Sequence, residues 1–254
     1  MRKINNITDE WLNPPIEQLK INNQFITGFI DRNYEYMIYA LQEKYGIPPY
    51  PYIEKGNTSP CARKGMKRRQ LEIHHIQENC YANLGTSLFL RNIYTNYKNG
   101  EYKTAKEIEL FDLLDEAQQP DQLVYANIFE HLALHMVLTV NENGSINKVG
   151  ELNLGMGGVI YLAYKILIAL VYRENFGIDN LTTMNMNICN LYDADIEINS
   201  MILKQAKEMI LAVASNKNNH KILIRHANIG LSSRNENTVE STKIMLKDFG
   251  IEVI

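Results

Sequence analysis

Apolar side chains recur at helical spacing along several stretches of the chain. From residue 29 to residue 45 they return every three or four positions, and Gly46 and Pro48 then act as a stop signal. The same spacing predicts further helices over residues 159–172, 198–215 and 236–248. Helices therefore account for most of the predicted structure.

Two short apolar runs have the character of strands instead. The first covers residues 70–76 and contains His74 and His75, and the second covers residues 123–126. Asn127 follows the second run with Glu130 three positions later, which predicts a helix from residue 128 to about residue 140. Two strands and a helix should therefore surround the histidines.

The segment between these strands is longer than a hairpin requires. It includes an insertion over residues 88–116. Within it, Thr104 and Glu107 have the spacing of a capping box, in which both side chains satisfy free backbone donors at a helix start. A helix ending near residue 117 should follow.

The last part of the chain alternates in type. Residues 221–225 and 251–254 have strand character on either side of the predicted 236–248 helix, which indicates a small strand-helix-strand portion. The whole pattern predicts an α+β, mostly helical fold. We divide it into a helical region with a linker over 1–60, a central domain over 61–141 and a helical then α/β region over 142–254.

Composition and charge limit the classes of partner. With 254 residues, of which 45% are hydrophobic, the chain is long enough to bury a substantial core. A net charge of -3 gives no general attraction for nucleic acid, so a nucleic-acid partner would need a local basic surface. A basic segment at residues 63–69 offers one, although an isolated segment of this kind is more often a solvated loop. Its cations are Arg63, Lys64, Lys67, Arg68 and Arg69.

Other features favour a soluble cytoplasmic protein that does not enter a membrane. The three cysteines, Cys61, Cys80 and Cys189, are far apart and form no C-x-x-C pair, which is typical of free thiols in a reducing compartment. The first residues lack the apolar core of a signal peptide. The most apolar run, at 159–172, is shorter than the roughly 20 residues of a membrane span, so we expect a buried helix.

Candidate chemistry lies in the histidines, because four of the six form two close pairs. His131 and His135 are four residues apart, so on a helix both imidazoles lie on one face and can reach the same metal ion. A facing strand that carries His74 and His75 could add the next ligand. Because histidine accepts protons near neutral pH, the remaining imidazole could activate a water molecule beside the ion.

The runs LEIHHI (71–76) and QLVYANIFEHLALH (122–135) together resemble the pattern of HNH endonucleases, over about residues 68–138. The resemblance implies a ββα-metal finger within 61–141. It implies that His75 is the general base and that His74, His131 and His135 hold the ion. The family's central asparagine aligns here with Gln122, and the nearest true asparagine is Asn127; either could tie the finger loop together.

An HNH function would be hydrolysis of phosphodiester bonds, in DNA rather than RNA, for restriction or defence against phage. The implied cofactor is a divalent ion, with zinc, manganese, nickel and magnesium as candidates. In the implied mechanism His75 deprotonates water, while the ion binds a non-bridging oxygen and stabilises the departing 3′ oxygen. Beside such a site the basic segment at 63–69 would position phosphates and offset their charge.

Several alternatives can be weighed on the sequence. A purely structural zinc site is disfavoured because no cysteine lies at ligand spacing from the histidines. A zincin protease is disfavoured because Leu132 follows His131, where the H-E-x-x-H motif has glutamate. One alternative stays open, namely a non-catalytic nucleic-acid-binding or assembly protein. It would keep the finger for structure and use its C-terminal region for a partner protein or a second copy.

The glycine-rich segment from Gly155 to Gly158 is weak as a phosphate-binding loop. No Lys-Ser or Lys-Thr pair follows it, and the residues before it make a poor strand. We interpret it as a turn before the 159–172 helix.

Overall fold

The computed structural model describes residues 16–53, 70–79, 84, 87–140, 155–179, 181–213, 224–225, 227–228 and 230–249. These residues are mostly helical and contain a two-stranded antiparallel sheet, which confirms the predicted α+β, mostly helical class. They fall into two compact units. One comprises Asn22–Asn127, and the other comprises Pro15–Ile21 with Ile128–Ile254. The predicted domain boundaries, at residues 60–61 and 141–142, lie outside the described residues.

The main elements in chain order are α1 (Ile16–Leu19), α2 (Asn23–Ile30), α3 (Tyr34–Tyr45), β1 (Glu72–His75), α4 (Ser87–Lys98), α5 (Ala105–Glu116), β2 (Leu123–Ala126), α6 (Ile128–Thr139), α7 (Met156–Phe176), α8 (Thr183–Ala194), α9 (Ile196–Val213) and α10 (Glu236–Asp248). Short 3₁₀ turns, Ile76–Asn79 and Pro120–Gln122, follow β1 and precede β2 respectively.

The predicted continuous helix over 29–45 is wrong, because the first unit has two helices there. Helix α2 ends at Ile30, and Arg32 adopts a left-handed conformation with φ 55°. Asn33 then caps α3, where its side chain accepts a hydrogen bond of 3.0 Å from the Tyr36 backbone nitrogen. The polar residues between the helices thus outweigh the continuity of the apolar pattern.

The sheet of the first unit pairs β1 with β2 in antiparallel register. Glu72 lies opposite Ala126, and His75 lies opposite Leu123. All four residues of β2 are buried, and helix α3 packs against this strand. The segment between the strands contains α4 and α5, so the predicted insertion is helical. The predicted capping box at the start of α5 is confirmed.

Helices α6 to α10 build the second unit around α7, which packs against each of the other four. The predicted helices over 159–172, 198–215 and 236–248 are confirmed as α7, α9 and α10, with small shifts of their ends. Helix α8 was not predicted. Its sequence is rich in asparagine, which has low helix propensity, but the Thr182 side chain caps it.

The predicted strand at 221–225 is wrong where it can be compared, because Ile224 and Arg225 are helical. A short continuous apolar run fits a buried strand and a helix equally well, and here the helix forms. Residues 221–223 and the predicted strand at 251–254 lie outside the described residues. The described residues therefore give no support to a C-terminal strand-helix-strand portion.

Helix α7 is the one helix among the described residues with the length and apolar composition of a membrane span. However, 56% of its most apolar window is buried inside the protein. A core helix has the same composition, so this helix is weak evidence for membrane insertion.

Cys189 is the cysteine within the described residues, and its thiol is free and buried. Burial raises the pKa of this thiol, so it is less reactive than an exposed cysteine. The thiol therefore behaves as a core side chain. Cys61 and Cys80 lie outside the described residues.

Candidate metal centre

Strand β1 carries His74 and His75 at its end, and both side chains are buried, with 0% and 1% exposure. Successive residues of a strand point to opposite faces, so the two imidazoles should have separate surroundings. The hydrogen-bond partners of the two rings agree with this expectation, although both rings also lie near Glu78.

Tyr34, the first residue of α3, holds the ring of His74. The Tyr34 hydroxyl lies 2.7 Å from His74 Nε2 and 3.0 Å from the carbonyl oxygen of Ile76. The two rings meet edge to face, with centroids 6.0 Å apart. Tyr34, which lies 40 positions before His74 in the chain, therefore fixes the orientation of this imidazole.

His75 lies against Gln118 and Tyr52. Its Nε2 is 3.2 Å from Gln118 Oε1, and its ring packs edge to face on Tyr52 with centroids 4.6 Å apart. An amide oxygen only accepts hydrogen bonds, so Nε2 carries the proton that it donates to Gln118. In the neutral ring, the lone pair of His75 is then on Nδ1.

Glu78 lies close to both histidines from the 3₁₀ turn after β1. Its Oε2 is 3.7 Å from His74 Nδ1, and its Oε1 is 3.6 Å from His75 Nδ1. A carboxylate beside metal-binding imidazoles attracts the cation and orients the rings. Glu78 was not predicted from the sequence, although it lies three residues after His75 and four after His74.

His131 and His135 lie on one face of α6 as predicted. Their Nε2 atoms are 3.2 Å apart, and their ring centroids are 4.9 Å apart. With bonds of 2.0–2.1 Å and angles of 90–109°, two nitrogens on one zinc ion lie about 2.9–3.4 Å apart. The separation on α6 falls inside that range.

Two glycines at the start of α7 make room for His135. A Cβ atom on Gly158 would come within 3.0 Å of three atoms of the His135 ring, and one on Gly155 would equally collide with the His135 carbonyl oxygen. The glycine-rich segment is therefore more than the turn that we inferred. It lets α7 approach α6 closely enough to cover the imidazole of His135.

Gly158→Ala should displace the His135 imidazole and weaken zinc binding by at least about 10-fold, a loss typical of disturbing the support of a metal ligand. Gly157→Ala is the matched control, because a Cβ there meets nothing within 4 Å and alanine favours the helix. Zinc titration by calorimetry compares the two variants. Equal affinities would mean that Gly158 has no part in placing His135.

The predicted ligands His74, His131 and His135 are residues that could hold a metal ion. That these three residues bind one ion together stays a prediction. The identity of the ion stays a prediction, and so does the role of His75 as a base.

The two residues considered for the family's central asparagine have different surroundings. Gln122 ends the turn before β2, and its Oε1 accepts a hydrogen bond of 3.1 Å from Gln77 Nε2. That contact ties the turn after β1 to the start of β2. Asn127 lies between β2 and α6 in the chain, and it is buried. The basic residues predicted to bind nucleic acid, Arg63, Lys64, Lys67, Arg68 and Arg69, lie outside the described residues.

Comparison of the chain with models of protein families, with curated proteins and with solved structures returned no match.

Proposed function

We propose that the protein is a metal-dependent endonuclease of the HNH type that hydrolyses phosphodiester bonds in DNA. The observation that carries the proposal is the 3.2 Å separation of the Nε2 atoms of His131 and His135 on one face of α6, which is the spacing of two ligands of one ion. The order of the elements along the chain, with β1, β2 and then α6, is the order of a ββα-metal finger. The long insertion between the strands leaves that order intact.

The donor set fits a divalent ion. Three neutral imidazole nitrogens suit zinc, nickel or manganese better than magnesium, which prefers oxygen ligands and keeps its waters. When bound, the ion supplies Lewis-acid stabilisation to the charged phosphoryl group and to the leaving oxygen. The neighbouring carboxylate of Glu78 strengthens the attraction of this site for a cation.

In this proposal His75 accepts a proton from the attacking water at Nδ1, the nitrogen that holds its lone pair. Gln118 orients the ring through the hydrogen bond at Nε2, much as a third residue orients the base in other hydrolases. The basic segment at 63–69 positions the substrate phosphates without reading their sequence. Restriction or defence against phage, in the cytoplasm, is the setting that we propose for such an activity.

A second candidate function has an observation in its favour. His75 is only 1% exposed and is packed between Gln118 and Tyr52, which is the environment of a structural histidine. A non-catalytic protein that binds nucleic acid or a partner would keep the metal group to stabilise its fold and would not need His75 to reach water. Cleavage separates the two functions.

We expect the purified protein to cut DNA in the presence of a transition metal and to stop when a chelator removes the ion. The assay offers plasmid, linear double-stranded DNA, single-stranded DNA and RNA, each with zinc, nickel, manganese or magnesium. His131→Ala/His135→Ala protein, purified in the same way, controls for host nucleases. If the protein binds zinc tightly but cleaves no substrate, the proposed enzymatic function is wrong and the non-catalytic binding function is favoured.

A further inference from the structure

We infer that Tyr34 is a positioning residue that selects the tautomer of His74, so that His74 binds the metal ion through Nδ1. The inference deepens the proposed metal site and rests on it. It comes from three contacts of one hydroxyl group. The Tyr34 hydroxyl oxygen lies 2.7 Å from His74 Nε2, 3.0 Å from the Ile76 carbonyl oxygen and 3.4 Å from the His75 carbonyl oxygen.

The direction of these hydrogen bonds follows from the number of protons available. A phenolic hydroxyl has one proton to donate, and a carbonyl oxygen can only accept. If the proton pointed to His74, the hydroxyl oxygen would face the Ile76 carbonyl oxygen at 3.0 Å with no hydrogen between them. The stable arrangement sends the hydroxyl proton to the carbonyl, and His74 Nε2–H then donates to the hydroxyl.

The tautomer decides which nitrogen can coordinate. A neutral imidazole has one N–H and one lone pair, so a ring that donates from Nε2 offers its lone pair at Nδ1. The metal-bound histidine of most sites likewise donates its other ring nitrogen to an outer partner, which fixes ring and tautomer together. Here Tyr34 is that partner.

The charge around Nδ1 supports the same assignment. The nearer oxygen of the Glu78 carboxylate lies 3.7 Å from His74 Nδ1. An anionic oxygen at this distance favours a cation on the Nδ1 side of the ring, whereas the Nε2 side is closed by the tyrosine hydroxyl and the carbonyl groups behind it. Both observations point to the same nitrogen.

Nitrogen-15 NMR of protein labelled at histidine tests the assignment without any nuclease assay. The His74 signals are identified by their absence in His74→Asn protein. We expect Nε2 of His74 to be of the protonated type in the metal-free protein, and zinc to shift Nδ1. If zinc binds His74 through Nε2, the proposed role of Tyr34 is wrong but the proposed metal site stands. If zinc shifts no histidine, the metal site fails, and the proposed function fails with it.

The variant Tyr34→Phe keeps the aromatic ring and removes the hydroxyl. We expect zinc affinity to fall about 10-fold to 100-fold, the usual cost of losing a partner behind a metal ligand. Tyr94→Phe is the matched control in the same unit, because its hydroxyl donates to Asp115 Oδ1 at 2.7 Å but touches none of the histidines in the group. Wild-type zinc affinity in folded Tyr34→Phe protein would overturn the inference.

Discussion

His75→Ala protein should bind zinc as the wild type does and yet cleave DNA at least about 100-fold more slowly, the usual scale for loss of a general base. The three proposed metal ligands stay in place in this variant, so only proton transfer is removed. Single-turnover cleavage at saturating metal measures the chemical step. Calorimetry on the same preparation measures zinc affinity.

His74→Ala is the counterpart of this variant. It removes a proposed ligand from the neighbouring position on β1, so zinc affinity should fall, and excess metal should partly restore cleavage. The reverse pattern would mean that the two adjacent histidines have exchanged roles. Cleavage at nearly the wild-type rate by His75→Ala, in preparations free of host nuclease, would remove the base from the mechanism.

The buried position of His75 requires a second control. His75→Ala leaves Gln118 Oε1 without its donor, and an unsatisfied buried acceptor costs about 1–3 kcal/mol of stability. Gln118→Ala breaks the same contact but keeps the imidazole as a base. Because Gln118→Ala loses only the residue that orients the base, it should slow cleavage less than His75→Ala does. Equal losses of cleavage, together with equal destabilisation in thermal unfolding, would mean that disturbed packing explains both variants.

The metal group could be predicted from sequence because each part of it obeys a local rule. A separation of four residues places His131 and His135 on one helix face, whatever else the chain does. Short apolar runs predicted β1 and β2, and the spacing of Asn127 and Glu130 predicted the start of α6, all within a few positions. Because α6 follows β2 directly, the order of the elements around the histidines could be predicted as well. The structure of the insertion between β1 and β2 could not, because no rule links the length of such a segment to its structure.

The supporting contacts could not be predicted in the same way. Tyr34 meets His74 across 40 residues, and Gln118 meets His75 across 43. No local spacing links such positions, and one tyrosine among fifteen carries no signal of its own. The role of Gly158 depends on how closely α7 packs on α6, which is a tertiary property as well.

The errors in the fold have a different origin, since they arise where caps and packing outweigh periodicity and propensity. Between α2 and α3, a left-handed residue at Arg32 and the cap at Asn33 interrupt an apolar pattern that would otherwise run on. In α8 the reverse occurs, because packing against α7 and the Thr182 cap stabilise a helix of poor propensity. Propensity and periodicity are weak guides wherever caps or packing decide.

Loss of both helix histidines should abolish tight metal binding. In His131→Ala/His135→Ala protein, zinc and nickel affinity should fall by more than the roughly 100-fold that accompanies loss of an outer partner, because two direct ligands disappear. The reason is the 3.2 Å separation of the two Nε2 atoms, which matches two ligands of one ion. Calorimetry with zinc, nickel, manganese and magnesium measures the loss for each ion.

The order in which the ions lose affinity for the variant is as informative as the size of the loss. Zinc and nickel should lose most, because imidazole suits them, while the weak binding of magnesium should change little. His220→Ala/His226→Ala is the matched control, since it also removes two histidines but neither has ligand spacing. If the α6 variant keeps wild-type zinc affinity, the helix pair is not the metal site. If the control loses affinity as well, the zinc is bound by histidines outside the group that we propose.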